Sequence, residues 1–336
     1  MKFCKIFCCL VAGLLMFTQA AAAQEQPLMV KIPMKISGFT NIRYRSAENI
    51  RDSFDVRRAR VKFTGDISKE IGYLTQVEFG GTAVTLLDGA FSYKVNDAIN
   101  LKAGQFSIPF SLESLTSAPK LATINRSQIV EAMAARSKDV IGNQCGRDVG
   151  LMLNGSALSV FEEEDDYLLD YAIGVFNGVG INASDDNDQK DIALRIVAHP
   201  IEGLNAGGSY YNGTGNYGTP AKNYTRDRFG FELAYTYDVF SVTGEYLKGK
   251  DGTTKKDGWY LQAGYFILPK EVQAVIKYDT YDPNTSVSQN AVDIITVGLN
   301  WYFHKLAFIQ VNYEDKNEEG TEIKDDTITA QLTISF

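Results

Sequence analysis

The sequence predicts an all-β fold, a 16-stranded antiparallel transmembrane β-barrel with an inward-folded third loop. Three observations predict it. Apolar and polar residues alternate with a period of two from residue 34 to the end, in segments of about ten residues, which is the length that crosses a bilayer at a tilt. Aromatic residues gather near segment ends, as at Tyr235, Tyr237, Trp259, Tyr278, Trp301, Phe303 and Tyr313. The connections also alternate between short turns and long polar stretches. Alternation alone would equally suit a soluble β-sandwich; segment length, aromatic placement and this asymmetry favour the membrane barrel.

The chain opens on Lys2 and Lys5, an apolar run over 6–17, and Ala21, Ala22 and Ala23 before Gln24. This order of charge, apolar run and small residues is that of a cleaved export signal peptide, residues 1–23. Of the 336 residues 45% are hydrophobic and the formal charge is −8, which becomes −10 once Lys2 and Lys5 leave with the signal. That acidic balance argues against a nucleic-acid partner, which selects basic surfaces. Past the signal no apolar run is long enough for a membrane helix. Cys4, Cys8 and Cys9 also leave, and Cys145 alone makes no internal disulfide, so stability must come by other means, for which a sealed hydrogen-bond network suffices. Residues 24–33 read as an N-terminal periplasmic segment and 34–336 as the transmembrane barrel domain.

Sixteen segments begin near residues 34, 55, 70, 86, 98, 146, 166, 189, 203, 226, 240, 257, 272, 291, 306 and 326. In the last, Ile328, Ala330, Leu332, Ile334 and Phe336 share one face, with Thr329, Gln331, Thr333 and Ser335 on the other. Phe229, Phe231, Leu233, Tyr235 and Tyr237 alternate likewise, as do Ala307, Ile309, Val311 and Tyr313. Short turns are expected at 66–69, 96–97, 200–202, 239, 269–271 and 304–305. Long connections are expected at 46–54, 107–145, 178–188, 213–225, 250–256, 282–290 and 316–325, all at the end opposite the termini. The connection at 81–85 is brief for that side, and the acidic 161–166 is long for its own. An even count of sixteen encloses an aqueous lumen, and closure pairs every backbone polar group. Phe336, closing an alternating strand, looks like the terminal signature that outer-membrane assembly machinery reads.

Two regions carry candidate chemistry. The longest connection, 107–145, holds Lys120, Arg126, Arg136 and Lys138 against Glu113, Glu131 and Asp139. Its stretch 126–136 can form a short helix capped by Ser127. A loop of this length without strands is functional or disordered; in a pore of this size it would fold inward as a constriction, the alternative being a solvated surface loop. The second region spans residues 40–64, where Arg43, Arg45, Arg51, Arg57, Arg58, Arg60 and Lys62 outnumber Glu48, Asp52 and Asp55. Alternation sets Arg58, Arg60 and Lys62 opposite Ala59, Val61 and Phe63. An arginine on the lipid face at mid-depth costs about 2–4 kcal/mol, so the basic side faces the lumen. Guanidinium groups bind phosphate oxygens bidentately and rings of them select anions. Wall carboxylates such as Glu78 and Asp88 could equally screen these charges and leave weak selectivity.

The runs FDVRRARVKFTGD (from Phe54), LLDGAFSYKV (from Leu86) and GQFSIPFSLESLTS (from Gly104) resemble the phosphate-selective porins O and P of bacterial outer membranes. The resemblance spans essentially the mature chain. It implies a homotrimeric porin in contact with outer-membrane lipid, passing small anions such as phosphate, with no cofactor. Carried onto this sequence, the paired arginines fall at Arg57 and Arg58, the fourth-strand acid at Asp88 and the loop lysine at or beside Lys120. Where the family's phosphate binders have an arginine in a G-G-R-L-Q run, this chain reads SGFTN, with Phe39 at that place.

Other signals carry less. The run 213–218 fits G-x-G-x-x-G but no helix pattern follows it, so it reads as a loop turn. The run 244–250 nearly fits a P-loop but ends on Asp251 where a metal-binding hydroxyl belongs. The acidic runs at Asp185–Asp186 and Asp325–Asp326 lack Ca²⁺-loop spacing. His199 and His304 both fall in turns and lack a recognisable catalytic motif, so the chain is read as no enzyme. The function expected is anion-selective passive diffusion of small hydrophilic solutes, with phosphate or polyphosphate as substrate, Arg57, Arg58, Arg60 and Lys120 coordinating anions and Asp88 orienting or tempering them. The alternative is a general or cation-leaning pore, which the net charge and Phe39 both favour.

Overall fold

The computed structural model describes residues 33–48, 50–159, 167–321 and 323–336. The signal peptide, all of 24–33 but its last residue, and the acidic connection 161–166 lie outside the described residues. Sixteen strands close into one antiparallel barrel in which each pairs with its chain neighbours and β1 (Lys35–Ala47) pairs with β16 (Thr327–Ser335). Between them run β2 (Ile50–Asp66), β3 (Ile71–Glu78), β4 (Thr85–Lys94), β5 (Asn100–Ser107), β6 (Arg147–Ser159), β7 (Tyr167–Phe176) and β8 (Asp191–Ile201). The remainder are β9 (Leu204–Tyr217), β10 (Lys222–Tyr237), β11 (Phe240–Asp251), β12 (Thr254–Leu268), β13 (Val272–Asp282), β14 (Val292–His304) and β15 (Ala307–Glu318).

The alternation expected from sequence is present and sorts the two faces. On β13, Ile276 is 53% exposed, whereas its neighbours Val275 and Lys277 are 5% and 1% exposed. On β16, Ile328 and Ile334 stand outward while Thr329, Gln331 and Thr333 are buried. An outer wall of Ile, Leu, Val and aromatic side chains suits hydrocarbon, where each strand's backbone groups must be paired within the sheet. Outward aromatics form two belts. Tyr237, Phe240, Tyr265, Trp301 and Phe303 lie toward the end that holds both termini, and Tyr224, Tyr246, Trp259 and Tyr313 toward the other.

Three of the expected long connections are shorter than the polar sequence suggests. β2 begins at Ile50, β10 at Lys222 and β12 at Thr254, so 46–54, 213–225 and 250–256 are mostly paired strand capped by tight turns. The run 213–218 therefore lies largely on β9 and enters a turn only at its end. The physical reason is that ladder pairing does not need an apolar face once a hairpin rises above the hydrocarbon. At the terminus-bearing end the turns are short. Asp238 and Gly203 take left-handed φ values of 48° and 77° between paired strand ends, the backbone that tight hairpins require.

The seam is made where Gly38 N–H donates to the Phe336 carbonyl (2.9 Å) and Phe336 N–H returns to that of Gly38 (3.0 Å). A Cβ on Gly38 would lie 2.3 Å from the Arg60 carbonyl oxygen and 2.4 Å from the Phe336 ring. Gly38→Ala is therefore expected to destabilise the closed barrel by about 1–3 kcal/mol. Electrophoretic mobility of unheated against heated protein checks this: the compact form should be lost at a lower temperature than in the parent.

Candidate constriction and anion site

Residues 108–146 connect β5 to β6 and carry α1 (Leu112–Leu115), a 3-10 turn at Ala118–Lys120 and α2 (Gln128–Met133). The helix expected over 126–136 is thus present but shorter. Ser127 stands at its N-cap position without capping through its side chain; its N–H and hydroxyl donate instead to Glu113 Oε2 at 2.8 and 2.9 Å.

This segment is tied to the polar faces of strands far from its own ends. Glu245 on β11 accepts the Leu112 and Glu113 N–H groups at 2.9 and 2.7 Å, and Asp279 on β13 accepts that of Gln128 at 3.0 Å. On β15, Asn312 Oδ1 accepts the Ile124 N–H (2.7 Å), and Glu314 accepts both bonds that Asn125 donates. Asn300, Gln310 and Lys277 donate to the carbonyls of Ala122, Leu121 and Asn125. The polar strand side chains thus satisfy a segment with little ladder of its own. Its apolar residues Ile129, Val130, Met133 and Ala134 form the buried core with Tyr211, Leu247, Tyr260 and Tyr281 of the wall. Gly249 makes room for α2, because a Cβ there would meet Met133 at 2.4 Å. Downstream, Arg226 on β10 holds Asp139 at 3.2 Å and Arg228 holds Asp251 at 2.5 Å, with all four side chains buried.

One open cavity of about 730 Å³ lies between this segment, β1–β4 and β13–β15. Arg45, Arg57, Arg58, Arg60, Arg126 and Arg136 line it, together with Lys138, Glu78, Glu131, Asp279 and Glu314. Strict alternation would put Arg57 and Arg58 on opposite faces. A β-bulge prevents this: Asn41 pairs with Arg58 and Ile42 with Val56, leaving Arg57 as the extra residue, and both arginines reach the cavity. A second bulge on β4 turns both Leu87 and Asp88 inward.

The sequence-predicted site residues separate into three groups. Arg57 and Arg58 come together with Arg126 and Arg136. Arg57 donates to the Ile124 carbonyl at 2.9 Å, Arg126 to those of Glu113 and Thr116, and Arg136 to Ser114, so their charges are not consumed by carboxylates. Arg58 has no hydrogen-bond or ion-pair partner among the described residues. Arg60 lines the cavity but is paired with Glu78 at 2.6 Å. Asp88 and Lys120 stand apart from it. Asp88 makes a bidentate pair with Arg147 at 3.0 Å, and Lys120 is exposed at the end of the 3-10 turn. Arg126 and Arg136 were visible in sequence only as charges bracketing a helix; their meeting with Arg57 needs the segment to reach back to β2.

Burial, followed by repulsion from Arg126, pushes the Arg136 pKa down to about 9, which leaves it cationic at neutral pH. Glu131 lies below its ordinary range: burial opposes ionisation, but Arg136 and the Ser137 hydroxyl outweigh it. Elsewhere, His199 Nε2 lies 3.0 Å from Asp170 and Ser156 donates to the same carboxylate at 2.5 Å. The hydroxyl meets the acid and not the imidazole, so these three side chains do not make a nucleophile–base contact.

Sequence comparison matches residues 36–336 to the family described as "Phosphate-selective porin O and P", and the chain belongs to that family. Comparison with curated proteins finds no match in sequence. Among solved structures, the anion-selective porin from Comamonas acidovorans superposes with a TM-score of 0.70 at 14% identity, covering 90% of this chain and 99% of that one. OmpF of Salmonella typhi, in complex with daunomycin, gives 0.66 at 13% identity over 91% and 98% of the two chains. OmpT of Vibrio cholerae, in its trimer form, gives 0.62 at 10% identity over 90% and 99%. At these identities the likeness is one of fold. Family and fold together place the chain in the bacterial outer membrane as a channel.

Removing the Asp139 carboxylate leaves Arg226 buried without its partner on the segment, a loss on the order of 3–5 kcal/mol. Asp139→Ala is expected to loosen residues 128–146. Limited proteolysis of the intact barrel checks this: new cleavage should map to that stretch.

Proposed function

We propose that this member of the phosphate-selective porin O and P family passes small anions by passive diffusion, with phosphate as the preferred ion. Residues 107–145 fold inside the barrel and narrow it, a reading supported by their bonds to β2 and to β10–β15, on the far side from where they begin. A small anion reaching the narrowing meets Arg57 and Arg58 from the wall and Arg126 and Arg136 from the segment. These groups exchange part of the ion's hydration shell for charge-assisted hydrogen bonds and raise its local concentration. Arg60 flanks them, Asp88 tempers the field through Arg147, and Lys120 adds positive charge outside the cavity. Assembly as a homotrimer is part of this reading, supported by the trimer form of the Vibrio cholerae OmpT neighbour.

The observation that carries this reading is Arg58, a guanidinium set in the cavity among five others and lacking a side-chain acceptor among the described residues. A cation-leaning pore is the second reading, favoured by Glu131, Asp279 and Glu314 on the same cavity. These carboxylates are occupied, however, accepting bonds from Ser137, Gln128 and Asn125.

The test is the zero-current reversal potential across a KCl gradient in a planar bilayer, repeated with inorganic phosphate. The parent is expected to prefer chloride and to lose chloride current as phosphate is added. Arg57→Ala with Arg58→Ala should move the reversal potential toward cations and abolish the block; an unchanged potential sinks the anion site.

A further inference from the structure

Of the six arginines that line the cavity, Arg60 is the one held in an ion pair among the described residues. Its Nε donates to Glu78 Oε2 at 2.6 Å, and its guanidinium carbon lies 5.7 Å from the centre of the Phe39 ring. Glu78 is itself fixed. Its Oε1 accepts the backbone N–H groups of Ala59 (2.6 Å) and Gly80 (3.0 Å), and the residue is 8% exposed. Gly80 is needed for that approach, because a Cβ there would stand 3.0 Å from the Arg58 Cα and from Ala59 N. Arg60 is therefore clamped between an anchored carboxylate and an aromatic face.

Position makes the clamp consequential. Arg60 follows Arg58 on the same face of β2, roughly 7 Å further toward the end that bears the termini. An ion leaving Arg57 and Arg58 in that direction meets, as its next guanidinium, one whose charge is already met. Conduction requires a site that is attractive enough to fill and weak enough to empty.

We propose that Glu78, with Phe39, is a selectivity-tuning pair that neutralises Arg60, ends the run of free guanidiniums at Arg58, and so sets how fast a bound anion is released. This rests on the anion-site reading above. Glu78 does not touch the ion; it is a positioning residue acting through Arg60.

The experiment is phosphate titration of chloride current in bilayers, run as a double-mutant cycle on the full-length barrel. Glu78→Gln keeps an oxygen acceptor for Ala59 and Gly80 but frees Arg60, so the half-blocking phosphate concentration should fall roughly tenfold, the worth of one added charge-assisted bond. In an Arg60→Gln background the same substitution should change it little, because there is no guanidinium to free. Equal falls in both backgrounds would mean that only a bulk negative charge had been lost, and overturn the clamp. No change in either would overturn it too. Phe39→Ala leaves the Glu78 bonds intact and should shift the block in the same direction by a smaller factor, which keeps the proposal testable if Glu78→Gln fails to assemble. Arg57→Ala with Arg58→Ala in parallel separates the two readings: loss of block there with no effect of Glu78→Gln discards the clamp alone.

Discussion

Everything in this molecule depends on closing the sheet. A backbone amide facing hydrocarbon has no water to bond, so each strand must find its partners within the chain, and the ladder between β1 and β16 removes the last open edge. Strands nearly 300 residues apart in sequence must therefore meet in register, and Phe336 is bonded to Gly38 for that reason. The outer wall can then be uniformly apolar, as Ile276, Leu299 and Ile334 are, without leaving a polar group stranded.

Closure also inverts the usual order of burial. The strand faces opposite the apolar wall are polar, and beside the apolar packing of α2 the segment between β5 and β6 is held by carboxylates and amides that receive its backbone. Glu245, Asp279 and Asn312 each accept N–H groups that no ladder could serve. A buried acceptor left empty costs about 1–3 kcal/mol, so these bonds fix where the segment lies as well as holding it. The arginines gain from this arrangement. Because the cavity's Glu131, Asp279 and Glu314 accept bonds from the neutral donors Ser137, Gln128 and Asn125, and Arg126 and Arg136 donate to carbonyls, Arg60 with Glu78 is the arginine–carboxylate ion pair on the cavity among the described residues.

Local irregularity does the final placement. The bulge at Arg57 adds one residue to β2 and turns two consecutive arginines the same way. The bulge at Leu87 performs the same service for Asp88, which then reaches Arg147. In both cases the interruption sits beside the cavity, where a regular strand would have sent a charged side chain toward lipid.

The period of two along β16, the aromatic positions and the even count of strands were all legible in the sequence, because a barrel wall makes each residue answer to one of two solvents. Strand starts were read within a few residues except at β2, β10 and β12, where polar hairpins keep pairing above the membrane and alternation no longer reports it. Arg57 and Arg58 were legible as a motif, although alternation contradicts their sharing a face. Which arginines keep a free charge was not legible. That Arg60 is clamped by Glu78 and Phe39, that Lys120 stands outside the cavity, and that Arg126 and Arg136 join Arg57 follow from contacts across the barrel. The sequence by itself determined the wall, since facing lipid or water is a property of each residue in turn. The tertiary structure decided the site, since a charge is free or spent only according to what distant strands place beside it.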